Sequence, residues 1–309
     1  MATQDPIGRP VAASYYVSED CAYIELAEAS GIWRLAPDEL SVMTTTTIGT
    51  GILIKHAIAA GYSKIVLFLG GSCTTDAGLG ILTEIGFTFQ NKSGQSIIPV
   101  GGNLLDITTI IPPSDLPKLS IQILCDVTNP LYGSKGAAHV YGKQKGASPK
   151  QIITLDNGLR HISNLIENIS GKEDDKMEGA GAAGGILAGL YGLLETVSVS
   201  NGFDYLSQLL NLEEKVMVAD IVISGEGKLD QSSLDGKVVS KVAAFCRKHG
   251  KPFIAIVGQS VLSQKELVNA GMQRCYSVLS LADSVDDALQ NGPRYLEEIG
   301  CQVRFLKKQ

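Results

Sequence analysis

The chain has 309 residues, of which 44% are hydrophobic and 19% are charged, a balance typical of a globular protein rather than a disordered one. Its formal net charge is −6, and no basic block is interleaved with aromatic residues, so we expect no nucleic-acid partner. No apolar run reaches the roughly 18 residues of a membrane span. We therefore expect no membrane partner. The six cysteines are scattered without a C-x-x-C pair and the N-terminus has no basic-plus-apolar signal region, so we expect a cytoplasmic location.

Two strands and a helix are predicted before the first candidate site. Residues 11–16 and 22–26 are typical of short strands that form a hairpin. Threonines at residues 44–47 then precede an apolar-periodic stretch, which predicts a capped helix ending at Gly61.

The first candidate site follows a run of five apolar residues, 65–69, typical of a strand buried on both faces of a parallel sheet. Gly70 and Gly71 allow a tight turn, and Ser72, Thr74 and Asp76 are residue types that cap the helix predicted over residues 77–85. Strand, turn and helix N-terminus together direct backbone N–H groups into one space, which favours an anion, phosphate above all. The alternative is an ordinary strand-to-helix turn with a good cap.

A second candidate site follows the strand predicted over residues 121–125. Asp126 stands at the carboxyl end of that strand, where α/β sheets bind ligands, and the Asn129-Pro130 pair predicts a turn that holds the strand end open. The alternative is that Asp126 only caps the turn after it. Lys145 lies further on among four glycines, a composition that suits phosphate binding but is also common in surface loops.

The segment GAGAAGG, residues 179–185, matches the G-x-G-x-x-G pattern of dinucleotide-binding proteins. That pattern requires a preceding strand, and the residues before this segment are charged, which disfavours a nicotinamide-dependent oxidoreductase. An apolar stretch follows, so we predict a helix whose glycine-rich N-terminus, including Gly181, approaches either a ligand or another backbone closely.

The last candidate site follows a buried strand predicted over residues 216–224. Gly225, Glu226, Asp230 and Lys237 crowd the end of that strand, before a helix predicted over residues 238–249. A solvated loop explains one or two of these charges and accounts less well for the Gly-x-Gly turn. Strands and helices alternate along the rest of the chain, which predicts an α/β fold with a parallel sheet.

Four stretches together resemble the bacterial-type glycerate kinases, and in chain order they cover nearly the whole sequence. They are GGSCTTDAGLG at 70–80, CDVTNPL at 125–131 with GKQKGA at 142–147, GAGAAGG at 179–185, and ADIVISGEGKLD at 219–230. The sequence departs from the family pattern in having Cys73-Thr74-Thr75 for Ala-Thr-Asn, and Lys228 for Arg. Replacing a guanidinium by an ammonium at Lys228 is expected to weaken bidentate binding of phosphate or carboxylate.

The resemblance implies a two-lobed α/β architecture. Residues 1–215 would form a larger α/β lobe with the glycine-rich loops, and residues 216–309 the C-terminal part of a Rossmann-like lobe. Family members begin with a strand, an Asp-Ser-Phe-Lys-like turn, a helix and an Asp-Gly-Gly-Glu-like turn, and this sequence starts after them. We therefore expect an incomplete Rossmann-like lobe. The alternative function is an inactive remnant that serves as a binding or interaction protein.

The implied reaction is transfer of a phosphoryl group from ATP, with Mg²⁺, to a hydroxyl of glycerate. Catalytic roles are predicted for Asp126 as the base that accepts the hydroxyl proton, and for Asp230 and Lys145; Glu226 and Asp230 are predicted to bind Mg²⁺. The sequence leaves open whether the chain forms a homo-oligomer. The residues predicted to contact phosphate or substrate are Gly70, Gly71, Ser72, Thr74, Asp76, Asn129, Gly181, Gly225, Glu226 and Lys237.

Overall fold

The computed structural model describes residues 1–234 and 238–304 of the chain, apart from the side chains of Ser232 and Arg304. The chain forms two compact units, Met1–Tyr205 and Leu206–Gln309. The division falls within a helix, Gly202–Leu209, whereas the sequence-based boundary lies between residues 215 and 216. Among the described residues, no helix combines the length and apolar character needed to cross a bilayer.

The first unit contains a five-stranded sheet and two small two-stranded sheets. Its strands are Ala2–Gln4 (β1), Pro10–Ala12 (β2), Tyr16–Ser18 (β3), Cys21–Glu25 (β4), Lys64–Phe68 (β5), Thr88–Gln90 (β6), Thr109–Ile111 (β7), Ser120–Leu124 (β8) and Thr196–Ser200 (β9). Its helices are Ala27–Ser30 (α1), Ile48–Ala59 (α2), Leu79–Ile85 (α3), Ala137–Tyr141 (α4), Pro149–Ser170 (α5) and Ile186–Leu193 (α6), with Gly202–Leu209 (α7) running across the division. Short 3-10 helices include Ile32–Arg34, Pro37–Glu39, Gly101–Asp106, Lys143–Lys145, Asp174–Lys176 and Ala182–Gly184.

The five-stranded sheet has the order β3-β4-β5-β8-β9 and is parallel except for the β3–β4 hairpin. Three consecutive residues of β5, Ile65 to Leu67, are at most 2% exposed, because both faces of the sheet are covered. This confirms the buried strand that the apolar run predicts. The carboxyl ends of β4, β5, β8 and β9 lie at one edge of the sheet, so the loops that follow these strands meet there.

The second unit is built on a parallel three-stranded sheet with the order β10-β11-β12. Its strands are Val222–Leu229 (β10), Phe253–Ser260 (β11) and Arg274–Ser277 (β12). Its helices are Leu212–Val218 (α8), Gln231–Leu234 (α9), Val238–Lys248 (α10), Gln264–Asn269 (α11), Val285–Gln290 (α12) and Gly292–Arg304 (α13), with a 3-10 helix at Val278–Ser280. Parallel strands alternate with helices in both units, which confirms the predicted α/β class.

One strand prediction is wrong in its bounds and in its burial. Residues 216–218 belong to α8, and β10 continues through Gly225 and Glu226 to Leu229. Ile223 in β10 is 48% exposed and Val218 is 84% exposed, so this run of apolar residues is not a strand buried on both faces. A short run of apolar residues occurs both at the end of a helix and at the start of a strand, so the run alone does not distinguish the two.

Candidate active site

A cavity of about 410 Å³ opens in the first unit at the edge where its parallel strands end. Gly70, Gly71 and Ser72 line it after β5, Asp126 lines it after β8, and Lys145 lines it from the 3-10 helix beyond α4. Five residues predicted from separate stretches of sequence therefore face one space. Other lining residues, which the sequence analysis did not select, include Ile32, Tyr141, Gln144, Ala182 and Ala183.

The turn after β5 presents unused backbone donors to this cavity. Among the described residues, the N–H groups of Gly70, Gly71 and Ser72 have no hydrogen-bond acceptor. Gly71 has a φ of +74°, in the left-handed region that glycine adopts without strain. Three unpaired N–H groups beside a cavity suit an anionic ligand, because such donors bind carboxylate or phosphate oxygens.

Lys145 places a positive charge beside this turn. Its side chain is 2% exposed, and its Nζ donates hydrogen bonds to Ser72 Oγ at 2.9 Å and to the Thr74 carbonyl oxygen at 2.7 Å. Burial lowers the pKa of Lys145 to about 8, and the nearby Cys73 and Asp76 oppose that shift. Lys145 therefore fixes the turn through two hydrogen bonds, and an ammonium group has a third N–H to offer.

Asp126 also lines the cavity and is exposed to solvent. Its Oδ1 accepts a hydrogen bond of 2.8 Å from the backbone N–H of Gly202, the first residue of α7. The carboxylate thus caps a helix that is remote in sequence, rather than the turn that directly follows Asp126. Because this bond engages Oδ1, the second oxygen, Oδ2, is the one we consider for contact with a reacting group.

Asp76 is placed differently from its predicted role in ligand binding. It is fully buried, and Oδ2 accepts hydrogen bonds from the N–H and the hydroxyl of Thr47, each at 2.8 Å, and from the N–H of Gly80 at 3.3 Å. Its Oδ1 accepts from the N–H of Gly78. Burial raises the pKa of Asp76, and the donors from Thr47, Gly78 and Gly80 oppose the shift.

The N-termini of α2 and α3 are therefore already occupied by this carboxylate. The prediction that the start of the helix after β5 binds phosphate does not fit, because Asp76 takes the donors that an external anion would need. The anion-binding N–H groups lie earlier, at Gly70 to Ser72. Thr74 is also fully buried, and its Oγ1 has no partner among the described residues, so it does not reach the cavity as predicted.

The glycine-rich segment 179–185 approaches other backbone segments closely, which was one of the two predicted alternatives. A Cβ on Gly184, whose φ is +78°, would lie 2.2 Å from the Thr74 carbonyl oxygen. A Cβ on Gly181 would lie 2.3 Å from the carbonyl oxygen of Pro130. These glycines hold the turn after β5 and the segment after β8 in place, and the neighbouring Ala182 and Ala183 line the cavity instead of Gly181.

Asn129 has a supporting position in the same region. Its Nδ2 donates to the Lys135 carbonyl oxygen at 3.0 Å, and its Oδ1 accepts from the Tyr141 hydroxyl at 2.6 Å. Asn129 thereby orients Tyr141, which lines the cavity, rather than lining it itself. The predicted Asn129-Pro130 segment therefore contributes to the site by positioning Tyr141.

The remaining predicted site residues lie in the second unit. Gly225 and Glu226 belong to β10 rather than to a turn, and a Cβ on Gly225 would lie 2.2 Å from the Ile256 carbonyl oxygen of β11. Asp230 follows β10, and its Oδ2 lies 3.8 Å from the Nζ of Lys228. Lys237 lies outside the described residues.

The prediction that Glu226 and Asp230 bind Mg²⁺ stays a prediction. No group of three or more His, Cys, Asp or Glu residues suited to a metal occurs among residues 1–234 and 238–304. The Lys228 ammonium beside Asp230 competes with a cation, and the buried Oε1 of Glu226 lies in a largely apolar cleft. Mg²⁺ is commonly bound by one or two carboxylates together with phosphate oxygens.

Comparison with known proteins gives consistent matches over most of the chain. The sequence model described as Glycerate kinase family matches residues 1–307. A glycerate kinase of Halalkalibacterium halodurans is 38% identical over 308 residues, which cover 98% of this chain and 81% of that protein. The glycerate 2-kinase of Escherichia coli K12 is 36% identical over 290 residues, covering 92% of this chain and 76% of that one.

A solved structure matches as well. The crystal structure of a protein assigned as glycerate kinase 2 from Salmonella typhimurium LT2 aligns with a TM-score of 0.75 at 35% identity. The alignment covers 90% of this chain and 73% of that one. At this identity the two chains share their α/β fold.

Proposed function

Since this chain belongs to the glycerate kinase family, we propose that it transfers a phosphoryl group from ATP to a hydroxyl of glycerate. Family membership makes the chain a glycerate kinase, as the four sequence motifs indicated. The dependence on ATP and the roles of individual residues are the proposed part. The observation that carries them is the cavity of the first unit, which is lined by residues with unpaired N–H groups, by a lysine and by an aspartate.

In this proposal the Gly70–Ser72 turn and Lys145 bind an anionic group of the reactants. Glycerate carries a carboxylate and ATP carries phosphates, and oxygens of either kind accept from backbone N–H groups and from an ammonium. A cavity of about 410 Å³ is within the range typical of small-molecule sites. Substituting Ser72 by Ala would raise KM for the reactant bound there and leave KM for the other unchanged.

Asp126 acts as the base in the proposed reaction. The hydroxyl oxygen of glycerate forms a bond to the γ-phosphorus, the bond from that phosphorus to the bridging oxygen breaks, and ADP leaves. The hydroxyl proton moves to Asp126. Phosphoryl transfer depends mainly on positioning and charge stabilisation, which a rigid turn and a buried lysine supply.

Two substitutions at one position test this role against the capping role of Asp126. Asn retains an oxygen that accepts from the Gly202 N–H but is not a base, whereas Ala loses both functions. We expect Asp126→Asn to lower kcat about 100-fold or more with unchanged thermal stability. We expect Asp126→Ala to lower both kcat and stability, the latter by about 1 kcal/mol.

The assay follows ADP and phosphoglycerate formation from ATP and D-glycerate, with Asp115→Asn, an exposed aspartate outside the cavity, as the control. Near-normal turnover by Asp126→Asn would remove Asp126 from the chemistry and leave it as a helix cap. Absence of any ATP-dependent product from the unmodified chain would refute the proposed activity and favour the alternative of a binding protein.

A further inference from the structure

The threonine run at residues 44–47 has a different role from the predicted helix cap. Thr47 occupies the N-cap position of α2, yet its side chain makes no capping hydrogen bond. Its hydroxyl donates to Asp76 instead, and the hydroxyl of Thr45 donates to the Cys73 carbonyl oxygen at 3.0 Å. The run therefore binds the segment that follows the turn after β5, and Thr45 contacts the first residue of that segment.

The turn after β5 is held through its carbonyl groups. The N–H of Ile32 donates to the Gly71 carbonyl oxygen at 2.8 Å, and Thr45 donates to that of Cys73. Ser72 therefore lies between two peptide groups whose orientation is fixed. Because the N–H of a trans peptide group points opposite to its C=O, the bond to Gly71 directs the Ser72 N–H away from Ile32. These contacts hold the turn and leave its own N–H groups available to an anion.

Thr45 belongs to a segment that also contacts the loop of Lys145. Three residues before Thr45, the N–H of Val42 donates to the Lys145 carbonyl oxygen at 3.1 Å. The segment thus touches both parts of the candidate anion site, the turn with Ser72 and the lysine, which are 73 positions apart in the sequence. Thr45 itself is 0% exposed, so water does not compete for the hydrogen bond of its hydroxyl.

We propose that Thr45 is a positioning residue for phosphoryl transfer, which holds the turn after β5 so that its N–H groups and Lys145 meet the same anionic group. The inference rests on the proposed kinase function and adds to it a residue that is not part of the cavity lining. Thr45 does not touch the reactants and acts through the Cys73 carbonyl group. Without the Thr45 hydroxyl the Cys73 peptide group is free to rotate, and a displacement of the donors by a fraction of an ångström weakens anion binding.

A graded series of substitutions at Thr45 tests this role, with titration calorimetry of D-glycerate and of ATP as the measurement. Thr45→Val removes the hydroxyl and keeps the shape of the side chain. We expect it to raise the Kd and the KM of the reactant bound by the turn about tenfold, with the other reactant unaffected and kcat changed by less than about twofold. Thr45→Ser keeps the donor and should bind both reactants as the unmodified chain does. Thr45→Cys carries a weaker donor and should give an intermediate Kd.

Thr3 provides the matched control for the loss of a buried hydroxyl. Thr3 is buried in β1, and its Oγ1 donates to the Gly49 carbonyl oxygen at 2.7 Å, which is the same kind of bond outside the cavity lining. We expect Thr3→Val and Thr45→Val to lower the melting temperature by similar amounts, about 2–4 °C. Only Thr45→Val should change the Kd of a reactant. Should Thr45→Val fail to fold, the comparison of Thr45→Cys with Thr45→Ser tests the same bond.

The outcomes separate this inference from the proposed function. Phosphoryl transfer by the unmodified chain, with both Kd values unchanged in Thr45→Val and Thr45→Cys, would overturn the inference and leave the function standing. An equal rise in the Kd of both reactants, or the same rise in Thr3→Val, would also overturn it, because the effect would then be a general loss of structure. A rise for one reactant that Thr45→Ser reverses, in a chain that transfers no phosphoryl group to glycerate, would refute the proposed function and keep the positioning role.

Discussion

Substituting Asp174 by Asn is expected to stabilise the first unit in a pH-dependent way. Asp174 is 1% exposed, its Oδ1 accepts from the Ser163 hydroxyl at 2.8 Å, and its Oδ2 has no partner among the described residues. Burial raises the pKa of Asp174 to about 6 from a reference value of 3.8. The folded protein therefore holds this proton at pH values where the unfolded chain has released it.

The direction and size of the effect follow from this difference. Folding takes up a proton between the two pKa values, so the free energy of unfolding falls as pH rises from 3.8 to about 6. The pKa of Asp174 is higher by about two in the folded protein than in the unfolded chain. At about 1.4 kcal/mol for each pKa unit, ionised Asp174 lowers the free energy of unfolding above pH 6 by on the order of 3 kcal/mol. Asn resembles the protonated acid and still accepts the hydrogen bond from the Ser163 hydroxyl, so the variant does not lose this stability as pH rises.

The measurement is urea unfolding at pH 4, 5, 6 and 7.5, followed by tryptophan fluorescence. The chain has one tryptophan, Trp33, which lies in the first unit together with Asp174. We expect Asp174→Asn to match the unmodified protein near pH 4 and to exceed it by up to about 3 kcal/mol at pH 7.5. The exposed Asp38→Asn serves as a control. A difference between Asp174→Asn and the unmodified protein that does not change with pH would refute the reasoning.

Two further predictions concern the turn after β5. Gly184→Ala should lower the thermal stability strongly, because its Cβ would lie 2.2 Å from the Thr74 carbonyl oxygen. Gly171 also has a positive φ, but a Cβ there would meet nothing within 4 Å, so Gly171→Ala should lower the free energy of unfolding by only about 1 kcal/mol. Equal losses of melting temperature would contradict the close approach. For Lys145, kcat/KM should decline as pH rises through about 8, because its ammonium then loses its proton. Lys145→Met should have low activity without that decline, and a decline that persists in the variant would assign it to another group.

Short-range patterns in the sequence predicted much of the framework. The apolar run before Gly70 forms β5, the helix predicted before Gly61 forms as α2, and Asp126 stands at a strand end as expected. The small residues of the 179–185 segment indicated a close backbone approach, and the structure contains one. Each of these features depends on neighbours within a few positions, which is the information that periodicity and turn chemistry carry.

The orientation of the polar side chains required the tertiary structure. The sequence around Asp76 is typical of a helix cap that binds a ligand. The Asp76 side chain is instead buried, because the N–H and the hydroxyl of Thr47, 29 residues earlier, both donate to its Oδ2. Glu226 looks like a loop carboxylate in the sequence, and only its place in β10 leaves one oxygen buried against an apolar cleft.

The sequence by itself determined the family, the α/β class and the set of loops at which polar residues gather, because those depend on local composition and order. The tertiary structure alone decided which of these residues face a cavity and which support it. Lys145 reaches Ser72 across 73 positions of sequence, and contacts of that separation arise from strand order and packing, on which local patterns carry no information.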